Sequence, residues 1–312
     1  MTNQQTKQPT NPLTKRQAWI TAARPRTLPL ALASIALGGF LAGGNGKFNL
    51  LVVLLSGLCM TFMQILSNFA NDYGDTKHGA DSDQRDGPKR MTQLGLITQS
   101  EMLRAMLGSA VLAAIAGLAA LFVAFGVQQA LLIVLFCGIG GAGIWAAIAY
   151  TATDRPYGYM GLGDLFVLLF FGAIPTLGTY YLQAKSFDVL LLLPALAGGL
   201  LAVAVLNVNN MRDIESDQAA GKQSIPVRLG LEKARLYHYS LLSGGLILAI
   251  VFTMLDYRSA WQWLFLLTLP IFGLNVKQIA KLSGSGLDPM LKKTVLLTVA
   301  FVFTFGIGWA LT

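Results

Sequence analysis

The chain has 312 residues, of which 54% are hydrophobic and only 12% charged, and its net charge is +8. Soluble domains carry about 25% charged residues. A mean hydropathy of +0.58 over the whole length therefore excludes a soluble domain with a single anchor and indicates a polytopic membrane protein. Long apolar runs must be helical, because every backbone polar group in hydrocarbon needs an internal partner. The sequence predicts an all-α fold.

Residues 1–16 are polar and predict a disordered tail, and residues 17–312 predict a single transmembrane domain. Within that domain we predict nine transmembrane helices, from apolar runs with approximate cores at 27–46, 48–70, 102–124, 129–150, 164–183, 188–208, 236–255, 261–276 and 294–311. The eighth run is the weakest of the nine, because Pro270 interrupts it.

The distribution of basic residues predicts the orientation. With nine spans and a cytoplasmic N-terminus, Lys47, Lys185 and Arg258 fall in outside segments and the other 20 of the 23 lysines and arginines fall inside. The positive-inside rule favours this arrangement. We predict a multi-pass protein of the cytoplasmic (inner) membrane, with the C-terminus on the outer side. Much of the net charge is then topological and does not require an anionic substrate.

A polar cluster over 68–90 follows the second run and holds five of the 15 acidic residues. If the chain enters it as a helix, Asn68, Asp72 and Asp75 share one face, because they are spaced by four and three residues. Oxygen ligands at a membrane boundary indicate a metal site. Ionisable groups at the end of a span indicate function by default.

A second cluster follows the sixth run. Asn209, Asp213 and Asp217 are spaced by four and four residues, again one helical face. The Asn68-x3-Asp72 pattern thus recurs 141 residues later as Asn209-x3-Asp213. Both copies emerge on the same side of the membrane, four helices apart. Connections of about 30 residues, predicted after the second and sixth spans, suit a functional site.

Two acidic faces across one cavity repel each other unless cations lie between them. Carboxylate and amide oxygens suit Mg²⁺, which usually keeps waters and substrate phosphates as further ligands. The pattern predicts a diphosphate leaving-group site, with metal and basic residues neutralising charge as a C–O bond breaks. The simpler interpretation, solvated loops with spaced charges, explains acids in loops but leaves the repeated Asn-x3-Asp unexplained.

These motifs resemble those of the UbiA-type intramembrane aromatic prenyltransferases of quinone synthesis. The family's first motif is Asn-Asp-x2-Asp-x3-Asp. Asn71, Asp72 and Asp75 fit it, Gly79 stands in the last position, and Asp81 is our choice for the third carboxylate. The second motif, Asp213-x3-Asp217, fits fully. The resemblance implies nine transmembrane helices and two Asp-rich motifs that bind Mg²⁺ and a prenyl diphosphate.

Three stretches resemble the subfamily that prenylates 1,4-dihydroxy-2-naphthoate in menaquinone synthesis: 24–31, 71–75 with the delayed aspartate, and 155–164. This implies transfer of a polyprenyl group from polyprenyl diphosphate to the naphthoate, with loss of CO2 and diphosphate. The alternatives are another aromatic acceptor such as 4-hydroxybenzoate, a cation-coupled transporter, or a lipid-head-group phosphotransferase.

The predicted site residues fall into three groups. The residues predicted to be catalytic are Asp72, Asp75, Asp213 and Asp217. Those predicted to bind metal are the same four and Asp81. Those predicted to bind substrate are Asn68, Asn71, Lys89, Arg90, Arg155, Tyr157, Asn209, Lys222 and Arg228.

Overall fold

A computed structural model describes residues 13–77 and 90–312, which form helices and their connections and contain no strand. The α-helices are α1 (Lys15–Ala23), α2 (Leu28–Gly44), α3 (Leu50–Lys77), α4 (Gln99–Phe125), α5 (Ala130–Ala149), α6 (Gly163–Leu168), α7 (Ile174–Ala184), α8 (Leu192–Arg212), α9 (Ile214–Ala219), α10 (Ile225–Leu229), α11 (Leu231–Leu255), α12 (Leu269–Ile279) and α13 (Asp288–Ala310). Single turns of 3-10 helix lie at Pro25–Thr27, Tyr157–Met160, Val189–Leu191 and Gly284–Leu287, and a longer one at Ala260–Thr268.

Eight helical stretches in the described part of the chain are long and apolar enough to cross a membrane. They coincide with eight of the nine predicted runs. The remaining run, 261–276, consists of the 3-10 helix Ala260–Thr268 followed by α12. Pro270 lies in the first turn of α12, where its missing N–H leaves no helical hydrogen bond unmade.

This irregular segment nevertheless runs antiparallel along α13. Phe265 packs on Phe305 with ring centroids 5.7 Å apart, and Asn275 donates a hydrogen bond of 2.9 Å to Thr294. Beyond them, the Lys293 ammonium donates to Gln278 at 2.7 Å. The segment therefore follows α13 through most of its length.

The helices that carry the acidic residues extend further than the apolar runs. α3 continues to Lys77, so all the residues of the first motif up to Asp75 are helical. The connection after α8 covers 213–230, and α9 and α10 occupy part of it. For this connection the predicted length of about 30 residues was wrong, because an apolar run ends where polar residues begin but the helix does not. Residues 78–89, which follow α3, lie outside the described part of the chain.

The predicted tail overlaps the first helix. Thr14 and Gln17 form a capping box, in which each side chain accepts a hydrogen bond from the other residue's backbone N–H. α1 therefore begins at Lys15, two residues inside the predicted tail of 1–16. Residues 1–12 lie outside the described part of the chain.

α8 forms the centre of the bundle. Leu201, Ala204 and Val208 are fully buried there, and the helix packs against α2, α6, α11 and α13. A side chain at Gly172, in the π-helical turn Leu169–Ala173, would lie 2.4 Å from the Cα of Gly199 on α8. Close helix contact depends on glycine here.

The end of the bundle opposite the acidic residues carries the three basic residues predicted to lie outside. The Arg258 guanidinium donates to the Asn45 side chain at 3.1 Å, and Asn45 donates to the Tyr180 hydroxyl at 3.1 Å. Lys47 and Lys185 lie in the connections next to these residues. The structure therefore separates these three cations from both acidic clusters.

Candidate functional site

A cavity of about 1120 Å³ extends through the bundle from the acidic residues to the opposite end. On α3 its wall includes both Ser56 and Asp75, which are about 29 Å apart along the helix axis. That span is close to the ~30 Å hydrocarbon thickness of a bilayer. Phe136, Phe170 and Leu182 line its apolar part. The cavity thus joins a charged end to a long apolar channel.

The first acidic face lies on the last two turns of α3. Asp72 and Asp75 are each 2% exposed. The Arg24 guanidinium donates to Asp72 at 2.6 Å. Arg90 links the two acids, with contacts of 3.1 Å to Asp72 and 2.7 Å to Asp75. Asp75 lines the cavity and Asp72 lies behind it.

Arg24 reaches Asp72 from an unusual backbone conformation. It ends α1 in the left-handed region, with φ 48°, at a cost of roughly 1–2 kcal/mol for a residue other than glycine. Pro25 then begins the short 3-10 turn that leads into α2. The turn brings a cation onto an acid 48 residues away in the sequence.

The second acidic face lies where α8 ends. Asp213 terminates the helix and α9 begins at the next residue, so the predicted continuous face bends at this point. Arg212 donates two hydrogen bonds of 2.7 Å to Asp213 and one of 2.7 Å to Asp288. The same guanidinium donates to Asn209 at 3.1 Å.

Lys222 connects the two faces. Its ammonium lies 3.2 Å from Asp75 and 3.4 Å from Asp217, and 4.9 Å from the centre of the Tyr159 ring. Burial raises the pKa of Asp217 to about 6, against the lowering effect of Lys222, and the nearby carboxylates of Asp213 and Asp75 raise it further.

The structure places several other predicted residues at the charged end of the cavity. Asn68, Asn71, Asn209 and Tyr157 all line it. Thr151 donates a hydrogen bond of 3.1 Å to the Asn71 side chain.

Two predicted residues, Arg155 and Arg228, are not assembled with the rest. Arg155 is exposed and does not line the cavity. Arg228 is also exposed, and donates to the backbone carbonyl of Met160 at 2.7 Å. Asp81 and Lys89 lie outside the described residues.

The UbiA prenyltransferase family matches residues 31–286. The chain belongs to this family. It is 45% identical over 298 residues to the Escherichia coli protein named 1,4-dihydroxy-2-naphthoate octaprenyltransferase, covering 95% of this chain and 96% of that protein. It is 41% identical over 298 residues to the Haemophilus influenzae protein of the same name, covering 94% and 96%.

Solved structures share the UbiA fold. A UbiA homolog from Archaeoglobus fulgidus bound to GPP and Mg²⁺ superimposes with a TM-score of 0.67 at 18% identity, over 95% of this chain and all of that chain. The apo structure of a UbiA homolog from Aeropyrum pernix also gives 0.67, at 15% identity, over 91% and 97%. The all-helical fold expected from the resemblance is confirmed.

The donor set of this UbiA-fold site fits Mg²⁺ shared with a phosphorylated ligand. Carboxylates of Asp75, Asp213 and Asp217 line one cavity with the amide oxygens of Asn209 and Asn71, and Mg²⁺ prefers such hard oxygen ligands. Among the described residues, no three acidic, histidine or cysteine side chains converge as a ready-made metal cage.

Sequence reasoning did not assign Arg24, Tyr159 and Tyr150 to the site. Tyr159 donates to Asp75 at 3.4 Å. Tyr150 lines the cavity, and burial followed by the charge of Asp217 raises the pKa of its phenol, which keeps it neutral. Arg24 and Tyr159 both belong to stretches that carried the resemblance, so that signal was available, whereas Tyr150 carried none.

Proposed function

We propose that this protein transfers a polyprenyl group from polyprenyl diphosphate to 1,4-dihydroxy-2-naphthoate, releasing CO2 and diphosphate and giving demethylmenaquinol in menaquinone biosynthesis. The observation that carries the proposal is the 45% identity, over 95% of the chain, to a protein named for this reaction. The two acidic faces at one end of a long apolar cavity supply a site of matching chemistry.

The diphosphate binds between the two acidic faces. Arg90 and Lys222 line this part of the cavity, and their positive charges bind phosphate oxygens as the C–O bond breaks. Asp72, Asp75, Asp213 and Asp217 would hold Mg²⁺ directly or through water, together with Asp81, which lies outside the described residues. Mg²⁺ supplies additional positive charge for the departing diphosphate.

The apolar channel takes the polyprenyl chain. Its walls include glycines of α5, among them Gly140 and Gly141, where an added Cβ meets nothing within 4 Å. An isoprenoid tail gains free energy from burial in such a channel. Bulky residues along the same length of α5 would narrow it.

The proposed membrane topology has nine spans, with both acidic motifs and the N-terminus on the cytoplasmic side of the inner membrane. The irregular segment of Ala260–Thr268 and α12, which packs along α13, would supply the remaining crossing, and Lys47, Lys185 and Arg258 mark the outer side. A cysteine placed at position 89 should resist an impermeant thiol reagent added to intact cells in a background without other reactive cysteines. Labelling from outside would reverse the topology.

Product formation by the purified protein tests the reaction. The protein in detergent receives a polyprenyl diphosphate and 1,4-dihydroxy-2-naphthoate, with Mg²⁺ or with EDTA, and we expect a prenylated naphthoquinol only with the metal. Product with 4-hydroxybenzoate but not with naphthoate would keep the mechanism and change the acceptor. If no aromatic acceptor is prenylated, the transporter interpretation gains support.

A further inference from the structure

Two polar side chains on the cavity wall beside the turn Pro25–Thr27 have hydrogen-bonding groups that no described residue satisfies. Arg26 lines the cavity and makes no hydrogen bond or ion pair within residues 13–77 and 90–312. Gln64, on α3, also lines the cavity and is 6% exposed, and its Oε1 has no hydrogen-bond partner. The predicted diphosphate site uses neither residue.

The surrounding hydrogen bonds determine which atom of the Gln64 amide is free. Asn68 donates to the backbone carbonyl of Ala23 at 2.9 Å, which fixes its NH2 group on that side and leaves its Oδ1 as an acceptor. The Gln64 Nε2 donates to this oxygen at 3.2 Å and to the Thr27 hydroxyl at 3.1 Å. A reversed Gln64 amide would set two oxygens against each other. The free atom is therefore Oε1, an acceptor.

The Thr27 hydroxyl is oriented in the same way. It donates to the Arg24 carbonyl at 2.9 Å, so it accepts from both Gln64 and Asn68. The donors of Thr27, Gln64 and Asn68 all reach oxygens, and the Gln64 Oε1 receives no hydrogen bond. A buried acceptor without a partner costs about 1–3 kcal/mol, which a ligand hydroxyl would recover if the amide shifts toward the cavity.

Arg26 carries an uncompensated charge. The charged groups that act on it are Arg24, Arg212 and Asp288. Arg24 is paired with Asp72, and the Asp288 carboxylate is paired with Arg212 at 2.7 Å. Asp288 is thus already engaged, and the wall beside Thr27 keeps a net positive charge that faces the cavity.

We propose that Arg26 and Gln64 form the subsite for the aromatic acceptor. Arg26 binds the acceptor's carboxylate, and the Gln64 amide, whose Oε1 is buried without a partner, shifts toward the cavity to accept a hydrogen bond from a ring hydroxyl. The inference rests on the proposed function, whose acceptor carries both groups. Thr27 follows Arg26 in the chain and bonds to Gln64, so the two contacts are adjacent on one wall. Arg26 and Gln64 position the acceptor and take no part in breaking the C–O bond.

Steady-state kinetics of Arg26→Gln in detergent is the first test. We expect the KM for 1,4-dihydroxy-2-naphthoate to rise about tenfold to a hundredfold, since a hydrogen bond to a charged group is lost. The KM for the polyprenyl diphosphate should stay within about twofold of the wild-type value. Arg16→Gln is the matched control, because Arg16 is exposed on α1 and does not line the cavity.

An acceptor without the carboxylate separates binding from a structural effect. Replacing naphthoate by 1,4-dihydroxynaphthalene should lower the kcat/KM of wild type about as much as Arg26→Gln lowers it with naphthoate. In the Arg26→Gln variant, the same change of acceptor should lower kcat/KM little further. This non-additivity is the signature of a direct pair. Equal losses for the variant with both acceptors would overturn the assignment, as would a raised KM for polyprenyl diphosphate alone.

Arg26→Lys keeps the charge and covers the case in which Arg26→Gln does not fold. Its KM for naphthoate should lie between those of wild type and Arg26→Gln. Like wild type, it should lose kcat/KM when the acceptor lacks the carboxylate. Gln64→Met should raise the KM for naphthoate about fivefold through the lost acceptor. Wild-type protein that does not prenylate naphthoate would instead contradict the proposed function.

Discussion

The two acidic faces have the same Asn-x3-Asp spacing but are built differently. On the first face, Asp72 and Asp75 lie on an unbroken helix, and their main cations, Arg24 and Arg90, come from distant parts of the chain. On the second, the helix ends at Asp213, and its cation is the preceding residue, Arg212. One face is assembled by tertiary structure and the other is largely local.

The difference shows that equal spacing does not give equal roles. The Asn68 side-chain amide donates hydrogen bonds to the Ala23 carbonyl and the Thr27 hydroxyl, in the turn before α2. Asn209 lines the cavity and accepts from Arg212. Asp72 lies behind the cavity wall and pairs with Arg24 and Arg90, whereas Asp217 lines the cavity. Substitutions should separate these roles.

The largest effect is expected for the acids that line the cavity on both faces. Asp75→Asn and Asp217→Asn should each lower kcat/KM roughly a thousandfold, because each removes charge that holds the metal and diphosphate. The measurement is prenylated product formed at saturating Mg²⁺. Asp154→Asn is the control, since that carboxylate is exposed and pairs with Lys77. Near-normal activity in either cavity variant would contradict a shared site.

Asp72→Asn should lower stability as well as activity. Its removal leaves the guanidinium groups of Arg24 and Arg90 without one carboxylate in a buried site, at a cost of about 3 kcal/mol. Unfolding in detergent, followed by circular dichroism, measures this. Asp217→Asn serves as the comparison and should unfold close to wild type. Equal stability of Asp72→Asn and Asp217→Asn would contradict the proposed difference between the two faces.

Gly74→Ala should disturb the first face alone. A methyl group there would lie 2.3 Å from the Thr151 backbone oxygen, and such overpacking costs about 2 kcal/mol. We expect lower stability and weaker Mg²⁺ binding, because Asp75 follows directly. Gly138→Ala on α5 is the matched control, as its added methyl meets nothing within 4 Å. If Gly74→Ala keeps wild-type stability and Mg²⁺ binding, α3 can move away from Thr151 at this contact.

The smallest effect is the pH dependence of the second face. With a pKa of about 6, Asp217 is protonated below pH 6, and protons then compete with Mg²⁺. The apparent affinity for Mg²⁺ should fall roughly tenfold between pH 7.5 and pH 5 from this group. Titration calorimetry in wild type and Asp217→Asn measures its share. If the apparent Mg²⁺ affinity changes with pH by the same factor in both proteins, other groups cause the pH dependence.

Much of the fold could be predicted from the sequence, because apolar runs and the positions of basic residues are direct consequences of the membrane. The eighth apolar run, 261–276, corresponds to the 3-10 helix Ala260–Thr268 and α12, and it is not among the eight stretches of the described residues that are long and apolar enough to cross a membrane. Helix ends were predicted less well. α3 continues seven residues beyond its apolar run, since helical hydrogen bonds do not require apolar side chains.

The candidate site was only partly accessible to sequence reasoning. The spacing of Asp72 and Asp75 predicted a shared face, and the structure has both on one side of α3. The pairing of Arg24 with Asp72 was not predictable by spacing, because it depends on a left-handed residue and a turn. The unpartnered oxygen of Gln64 could not be predicted at all, since it emerges from a network of four residues.

The four paired acids also bear on how the protein is made. Each of the four predicted catalytic carboxylates already contacts an arginine or lysine of the same chain. A newly inserted polypeptide can therefore close its bundle around these charges before it meets Mg²⁺ or substrate. If turnover needs Mg²⁺ as proposed, we expect a chelator to stop turnover and to leave the protein folded in the membrane.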